Sequence, residues 1–256
     1  MEARAPIGAR AADSGSYGAA VEGRARLEGV LRRLALFLVI AVCLLAAWQW
    51  LTWPDVAALA DSDPASSAFI ELHRRESNGR TAHGWVAYEQ ISVSLKHAVL
   101  VSEDINFFGH EGFAVEEMRI AVRETLEEGR KLRGASTITQ QLAKNLWLSP
   151  SRNPWRKVKE VLLTWQLERR LSKRRILELY LNVAQFGPDT FGAEASAQTF
   201  FGISAARLSG RQAAKLAAGL SRPGSWNPDS TSRAYRKRVE LLRGRMRSAQ
   251  WILKEL

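Results

Sequence analysis

Twenty consecutive residues, Leu34 to Trp53, read LALFLVIAVCLLAAWQWLTW without one charged side chain. At about 1.5 Å rise per residue such a helix spans about 30 Å, the hydrocarbon thickness of a bilayer. A core helix of a soluble domain would show a polar face, and this stretch has none. A cleavable signal peptide would carry a shorter apolar run and an A-x-A-like exit. Here Trp48, Trp50 and Trp53 follow instead, spaced as an interfacial aromatic belt. The sequence therefore predicts a retained single-pass anchor over 34–53. Arg24, Arg26, Arg32 and Arg33 crowd its N-terminal side, whereas Asp55, Asp61 and Asp63 come first on the other. The positive-inside rule makes 1–33 a cytoplasmic tail and sends the remainder outward. Residues 1–23, rich in Ala, Gly and Ser, are expected to be flexible, and 54–84 to be a juxtamembrane linker. Cys43, the only cysteine, lies inside the span, so an intrachain disulfide is excluded.

The exported part, 85–256, reads as one mainly α-helical domain. Ser94 is a candidate cap for a helix carrying Leu95, Ala98, Val99 and Val101. Further helices are expected over about 115–130 and 137–146, then from Pro154, which suits a helix's first turn. Val158, Val161, Leu162, Trp165 and Leu171 repeat there near helical spacing. Ser172 can cap the next helix, and three more fit 191–200, 211–220 and 234–254. No alternating run of strand length is evident. Lys+Arg 37 against Asp+Glu 26 gives a formal charge of +11, which calls for an anionic partner. Export across a membrane argues against nucleic acid.

Several chemistries can be set aside. The sequence contains no G-x-x-x-x-G-K-[ST] loop, no H-E-x-x-H and no Cys/His cluster. It also lacks G-x-S-x-G, S-x-x-K and K-T-G, the signatures of serine acyl transfer. What remains are carboxylates among cations and amides. Glu103 and Asp104 stand beside Phe107, Phe108 and His110, where partly dry aromatic walls suit a general acid or base. Ser136 and Thr137 open a helix whose free N–H groups favour an anion. Gln141, Lys144 and Asn145 share one face of that helix. Arg156, Lys157, Lys159 and Glu160 follow, and from Lys144 to Arg175 ten Lys/Arg face two Glu. A solvated basic face would explain that run, and so would a diphosphate head group beside a membrane.

In this order and spacing the segments resemble the family-51 glycosyltransferases, the peptidoglycan polymerases. E-D-x-x-F-x-x-H-x-G is met by Glu103, Asp104, Phe107, His110 and Gly112. G-x-S-T-x-T-Q-Q-L-x-K-N is met at every fixed position from Gly134 to Asn145. R-K-x-x-E is met by Arg156, Lys157 and Glu160, and K-x-x-I-L-E-x-Y-L-N by Lys173 through Asn182. The resemblance covers about 85–226, and with no penicillin-binding domain following, it is to the stand-alone, monofunctional branch. Late in the chain Gln212 and Lys215 stand where relatives carry Glu and Leu, and Ser221 where they carry Pro.

The resemblance implies a lysozyme-like helical fold and polymerisation of lipid II, with inversion and release of undecaprenyl diphosphate. Glu103 would be the general base, and Glu160 would assist near the diphosphate, directly or through a divalent cation (Mg or Mn); no organic cofactor is implied. Ser136, Thr137, Gln141, Lys144, Asn145, Arg156 and Lys157 would bind substrate, supported by Asp104, Phe107 and His110. An apolar surface dipping into the membrane is also implied, with Phe107, Phe108, Trp147 and Leu148 as candidates. The implied partners are lipid II, the nascent glycan strand and other cell-wall synthesis proteins, at the bacterial inner membrane. A lytic transglycosylase or lysozyme-type glycosidase is the main alternative, and a non-enzymatic tethered scaffold the other. A glycosidase acts on finished glycan and needs no basic site, so the Lys144–Lys157 cluster favours the polymerase.

Overall fold

A computed structural model of the chain describes residues 14–116, 119, 123, 127, 136–151 and 153–256, with side chains from residue 28 onward except Val30. The chain divides into two units, Met1–Pro54 and Asp55–Leu256. In the first, helix α1 runs unbroken over Ser14–Leu51. It starts within the expected flexible tail, because Ala, Glu, Arg and Leu there favour helix and no proline intervenes. Its apolar stretch, Leu31–Leu51, has a mean hydropathy of 2.4 and is long enough to cross a membrane. Phe37, Leu44 and Trp50 stand exposed along it. The helix stops short of Pro54, as the restriction on residues before proline requires.

In the second unit most helix starts carry a reason in their sequence. Ser67 caps α2 (Ala68–Glu76) and Ser92 caps α3 (Val93–Glu103), accepting from the Leu95 N–H. Ser92 thus takes the role expected of Ser94, which lies inside the helix. Thr137 and Gln140 form a reciprocal capping box on α4 (Ile138–Trp147). Asn153 and Pro154 open α5 (Pro154–Arg170), and Ser172 opens α6 (Lys173–Val183). After α7 (Ala193–Phe201), Ser209 and Gln212 form a second capping box on α8 (Gly210–Gly219). Gln212 departs from the family's Glu yet serves the same cap, because either side chain can accept there. Ser232 caps α9 (Arg233–Ser248), and a 3-10 turn over Gln250–Lys254 ends the chain. The helix expected over 115–130 falls largely outside the described residues.

Helices α3, α8 and α9 pack on one another, while α4 packs on α5, α6 and α2. Leu95, Leu100, Ile138, Leu142, Leu163 and Leu177 are fully buried between them. A small sheet, order β1–β3–β2, pairs β1 (Ala82–His83) parallel with β3 (Thr190–Phe191) and β2 (Gln185–Gly187) antiparallel with it. Strands of two or three residues are too short for alternation to register, so none was expected.

Of the segment read as a linker, 54–84, residues 55–84 belong to this packed unit. It supplies α2 and β1, and Arg175 of α6 straps its start in place. The Arg175 guanidinium donates to the carbonyls of Leu59 at 2.8 Å and Ser62 at 2.9 Å, and pairs with Asp63 at 2.7 Å. On α5 the apolar repeat is helical but faces outward. Trp155, Val158, Val161, Leu162 and Trp165 are exposed, whereas Glu160, Leu163, Thr164 and Leu167 are buried.

Candidate active site

Glu103 ends α3, where the packed cluster of α3, α8 and α9 meets α4. Its Oε1 accepts from the Ser102 hydroxyl at 2.8 Å and its Oε2 from the Gln141 amide at 3.1 Å. The Gln141 carbonyl in turn accepts from the Tyr180 hydroxyl at 2.9 Å. Burial, reinforced by the charges of Glu103 and Asp104, pushes the Tyr180 phenol well above its usual range. It therefore stays a donor and fixes the Gln141 amide with its NH2 toward Glu103. From α9 the Arg238 guanidinium donates to the Ser102 hydroxyl at 3.2 Å. One wall of a cavity of about 910 Å³ includes Glu103, with Ser136 and Thr137 on the same lining.

Asp104 and His110 tie the first motif to the second. The His110 Nε2–H donates to Asp104 at 3.0 Å, while its Nδ1 accepts from the Gly112 N–H at 3.1 Å, which sets the tautomer. The other Asp104 oxygen accepts from the Ile138 N–H at 2.9 Å. The anion expected at the start of α4 is thus Asp104 of the chain itself. The Thr137 hydroxyl is likewise engaged, donating to the Gly112 carbonyl at 2.7 Å and accepting from the Gln140 N–H. Gly112 has φ +85°, and a Cβ there would sit 2.8 Å from Glu168 Cγ and 2.9 Å from Thr164. Only glycine fits. Phe107 is buried under the Lys173 ammonium, edge-on to Phe108.

The cations gather around Glu160, which is buried on the inner face of α5. Arg156 pairs with one of its oxygens at 3.0 Å and Lys157 with the other. The Arg156 Nε is buried with no partner among the described residues. Lys144, half-buried on α4, lies over the Phe69 ring at 5.5 Å and makes no ion pair among the described residues. Burial pushes its amine below the usual lysine range; Glu160 and Glu103 oppose that, while Arg156 and Lys157 add to it. Lys144 therefore sits within electrostatic reach of Glu103 and of the Glu160 cluster, linking the two. Asn145 is half-buried beside it, and Ser136 is exposed. Gly134 and Ala135 of the second motif lie outside the described residues.

Helix α6 is the frame. Lys173 pairs with Glu168 at 2.9 Å, and Glu168 also accepts from Thr139 of α4. Glu178 accepts from the Tyr88 N–H at 3.1 Å and pairs with Arg175 at 3.0 Å. The Asn182 side chain makes two hydrogen bonds with the Val86 backbone, accepting from its N–H at 3.0 Å and donating to its carbonyl at 2.9 Å. Tyr180 could be found in sequence only as a motif residue of this helix. Ser102 belongs to no motif, and Arg238 gave no local signal because Ser102, its partner, lies far along the chain.

The chain is similar to known proteins over most of its length. Residues 71–247 match the family model described as Transglycosylase. A biosynthetic peptidoglycan transglycosylase of Methylobacillus flagellatus is 39% identical, covering 83% of this chain and 95% of that protein. Proteins of the same name from Nitrosospira multiformis and Alcanivorax borkumensis are each 45% identical, covering 73% and 84% of this chain and 84% and 87% of theirs. The chain belongs to the transglycosylase family and is a glycosyltransferase.

Proposed function

We propose that the chain polymerises lipid II into β-1,4 glycan strands, releasing undecaprenyl diphosphate with inversion, at the outer face of the bacterial inner membrane. The observation that carries this reading is the pairing of a carboxylate oriented by Ser102 and Gln141 with a cation cluster, Arg156 and Lys157 on buried Glu160, and Lys144 within electrostatic reach of both. Glu103 accepts the proton of the acceptor sugar's 4-hydroxyl as that oxygen attacks the anomeric carbon of the growing strand. The bond to the diphosphate breaks on the opposite face, its electron pair leaves on the diphosphate oxygen, and Lys144, Arg156 and Lys157 stabilise that negative charge. Glu160 holds the last two in position; alone it would have to be buried uncompensated.

Both Glu160 oxygens are taken by cations, and no group of three His, Cys, Asp or Glu side chains suited to a metal occurs among the described residues. This donor set does not fit a resident Mg or Mn ion, and the chain's own cations carry the charge. The N-terminus lies in the cytoplasm and the catalytic unit in the periplasm, following the arginine flank of the span. For the membrane-dipping surface, Phe107 and Leu148 are buried and unsuited, whereas the exposed α5 stripe of Trp155, Val158, Val161, Leu162 and Trp165 is suited. Lipid II, the nascent strand and other cell-wall synthesis proteins are its partners under this reading.

The test sets two substrates side by side. Full-length protein in vesicles should convert lipid II into polymer and release no soluble fragments from isolated sacculi. Fragments from sacculi without polymer from lipid II would give the site to a lytic enzyme.

A further inference from the structure

At the end of α3 away from Glu103 lies a second groove, of about 430 Å³. Val93 and Glu103 mark the two ends of that helix, about 15 Å apart along its axis. The start of α8, the end of α9 and the closing 3-10 turn complete the groove. Its floor is apolar, made of Val93, Met246 and Leu253, and Val93 and Leu253 stand exposed. Its rim is cationic, with Arg211, Arg243 and Arg247, and no carboxylate occurs among the described lining residues.

Most of that charge is unmatched within the chain. Arg243 donates to Glu240 at 2.9 Å, whereas Arg211 and Arg247 are exposed and make no ion pair among the described residues. Helix α9 carries seven Lys/Arg against one Glu, and of these the site around Glu103 uses Arg238. The lining also offers acceptors. His97, buried on α3, donates its Nε2–H to the Ala249 carbonyl at 3.0 Å, which leaves Nδ1 an acceptor. Gln250 donates its amide to the Met246 carbonyl at 3.1 Å, which leaves its own carbonyl oxygen an acceptor.

An apolar floor, a cationic rim and acceptors in the lining call for an apolar side chain, carboxylates and N–H donors together. A peptide brings all three. Inorganic phosphate supplies charge alone, and a bilayer surface, being flat, reaches the rim and not the floor. We propose that this groove docks an acidic segment of a partner protein. One leucine-sized side chain sits on Val93, Met246 and Leu253, and the flanking carboxylates meet Arg211 and Arg247. Such a partner is held at the far end of α3, leaving Glu103 uncovered. The inference does not depend on the polymerase reading, because none of these residues takes part in it.

Fluorescence anisotropy on the full-length protein in uncharged detergent tests the groove. The probe is a labelled pentapeptide of one leucine between two pairs of glutamates. Wild type should bind it, and more weakly as salt rises. The double variant Arg211→Glu with Arg247→Glu should bind about tenfold more weakly, a change of about 1.4 kcal/mol. Its melting temperature should hold, since both side chains are exposed. A peptide with serine for the leucine should bind several-fold more weakly than the parent, and one with lysines for the glutamates should not bind. Equal binding by the double variant, or equal binding of the serine peptide, overturns the proposal. So does a wild-type protein that leaves the peptide free; binding of soluble dihexanoyl phosphatidylglycerol in its place gives the groove to a lipid head group.

Discussion

Glu103 is useful as a base only if its carboxylate is held still, and two hydrogen bonds from Ser102 and Gln141 hold it. Behind Gln141 stands Tyr180, whose hydroxyl decides which end of the amide faces the carboxylate. Tyr180→Phe leaves that half-buried amide carbonyl without its donor, at a cost of about 1 kcal/mol of stability. Kinetics should show kcat falling while KM for lipid II holds, since no substrate contact is lost; a raised KM with unchanged kcat would contradict the positioning role. Lys144 makes a separate prediction. Its amine is charged only below its pKa, and burial depresses that pKa, so the charge disappears at a lower pH than for an ordinary lysine. kcat/KM should therefore fall toward alkaline pH, and Lys144→Arg, which keeps its charge, should carry that limb to higher pH. An alkaline limb unmoved by the substitution would take Lys144 out of the charge-bearing role.

At the scale of elements, the motifs prove to be joints. Gly112 lets the first motif pass against α5 where any side chain would strike Glu168 and Thr164. Gly112→Ala should lower the melting temperature and the activity together, from a positive φ costing about 1 kcal/mol or more plus the overlap. An unchanged melting temperature would show that the loop can move aside. Local chemistry made much of this scaffold legible beforehand: the Thr137 cap, Pro154 at a helix start, Ser172 and the long apolar helix were all readable from spacing. The direction of the α5 stripe was not. Periodicity reports that a helix has an apolar face, not whether protein, water or lipid will meet it. Trp155→Ser with Trp165→Ser should weaken binding of the catalytic unit to phospholipid vesicles without unfolding it, and undiminished binding would assign that stripe elsewhere.

For the whole molecule, the formal charge of +11 resolves into parts. Some flanks the span, some is consumed structurally, as by Arg175 on Asp63 and Glu178. A remainder, Lys144 with Arg156 and Lys157, surrounds Glu160. That residue shows where sequence reading stopped. Spacing placed it beside cations, but not that it would be buried with both oxygens occupied, because burial depends on α4 and α6 closing over α5. The same holds for 54–84, whose polar composition suggested a linker while Arg175, more than a hundred residues later, binds it to the fold. Both features depend on contacts between distant residues, which no local pattern records. Glu103→Gln removes the proposed base while keeping the side chain's shape, and its turnover of lipid II decides the assignment. With wild-type melting temperature, that variant should polymerise lipid II about a hundredfold more slowly or worse. Wild-type turnover by the folded variant would contradict it.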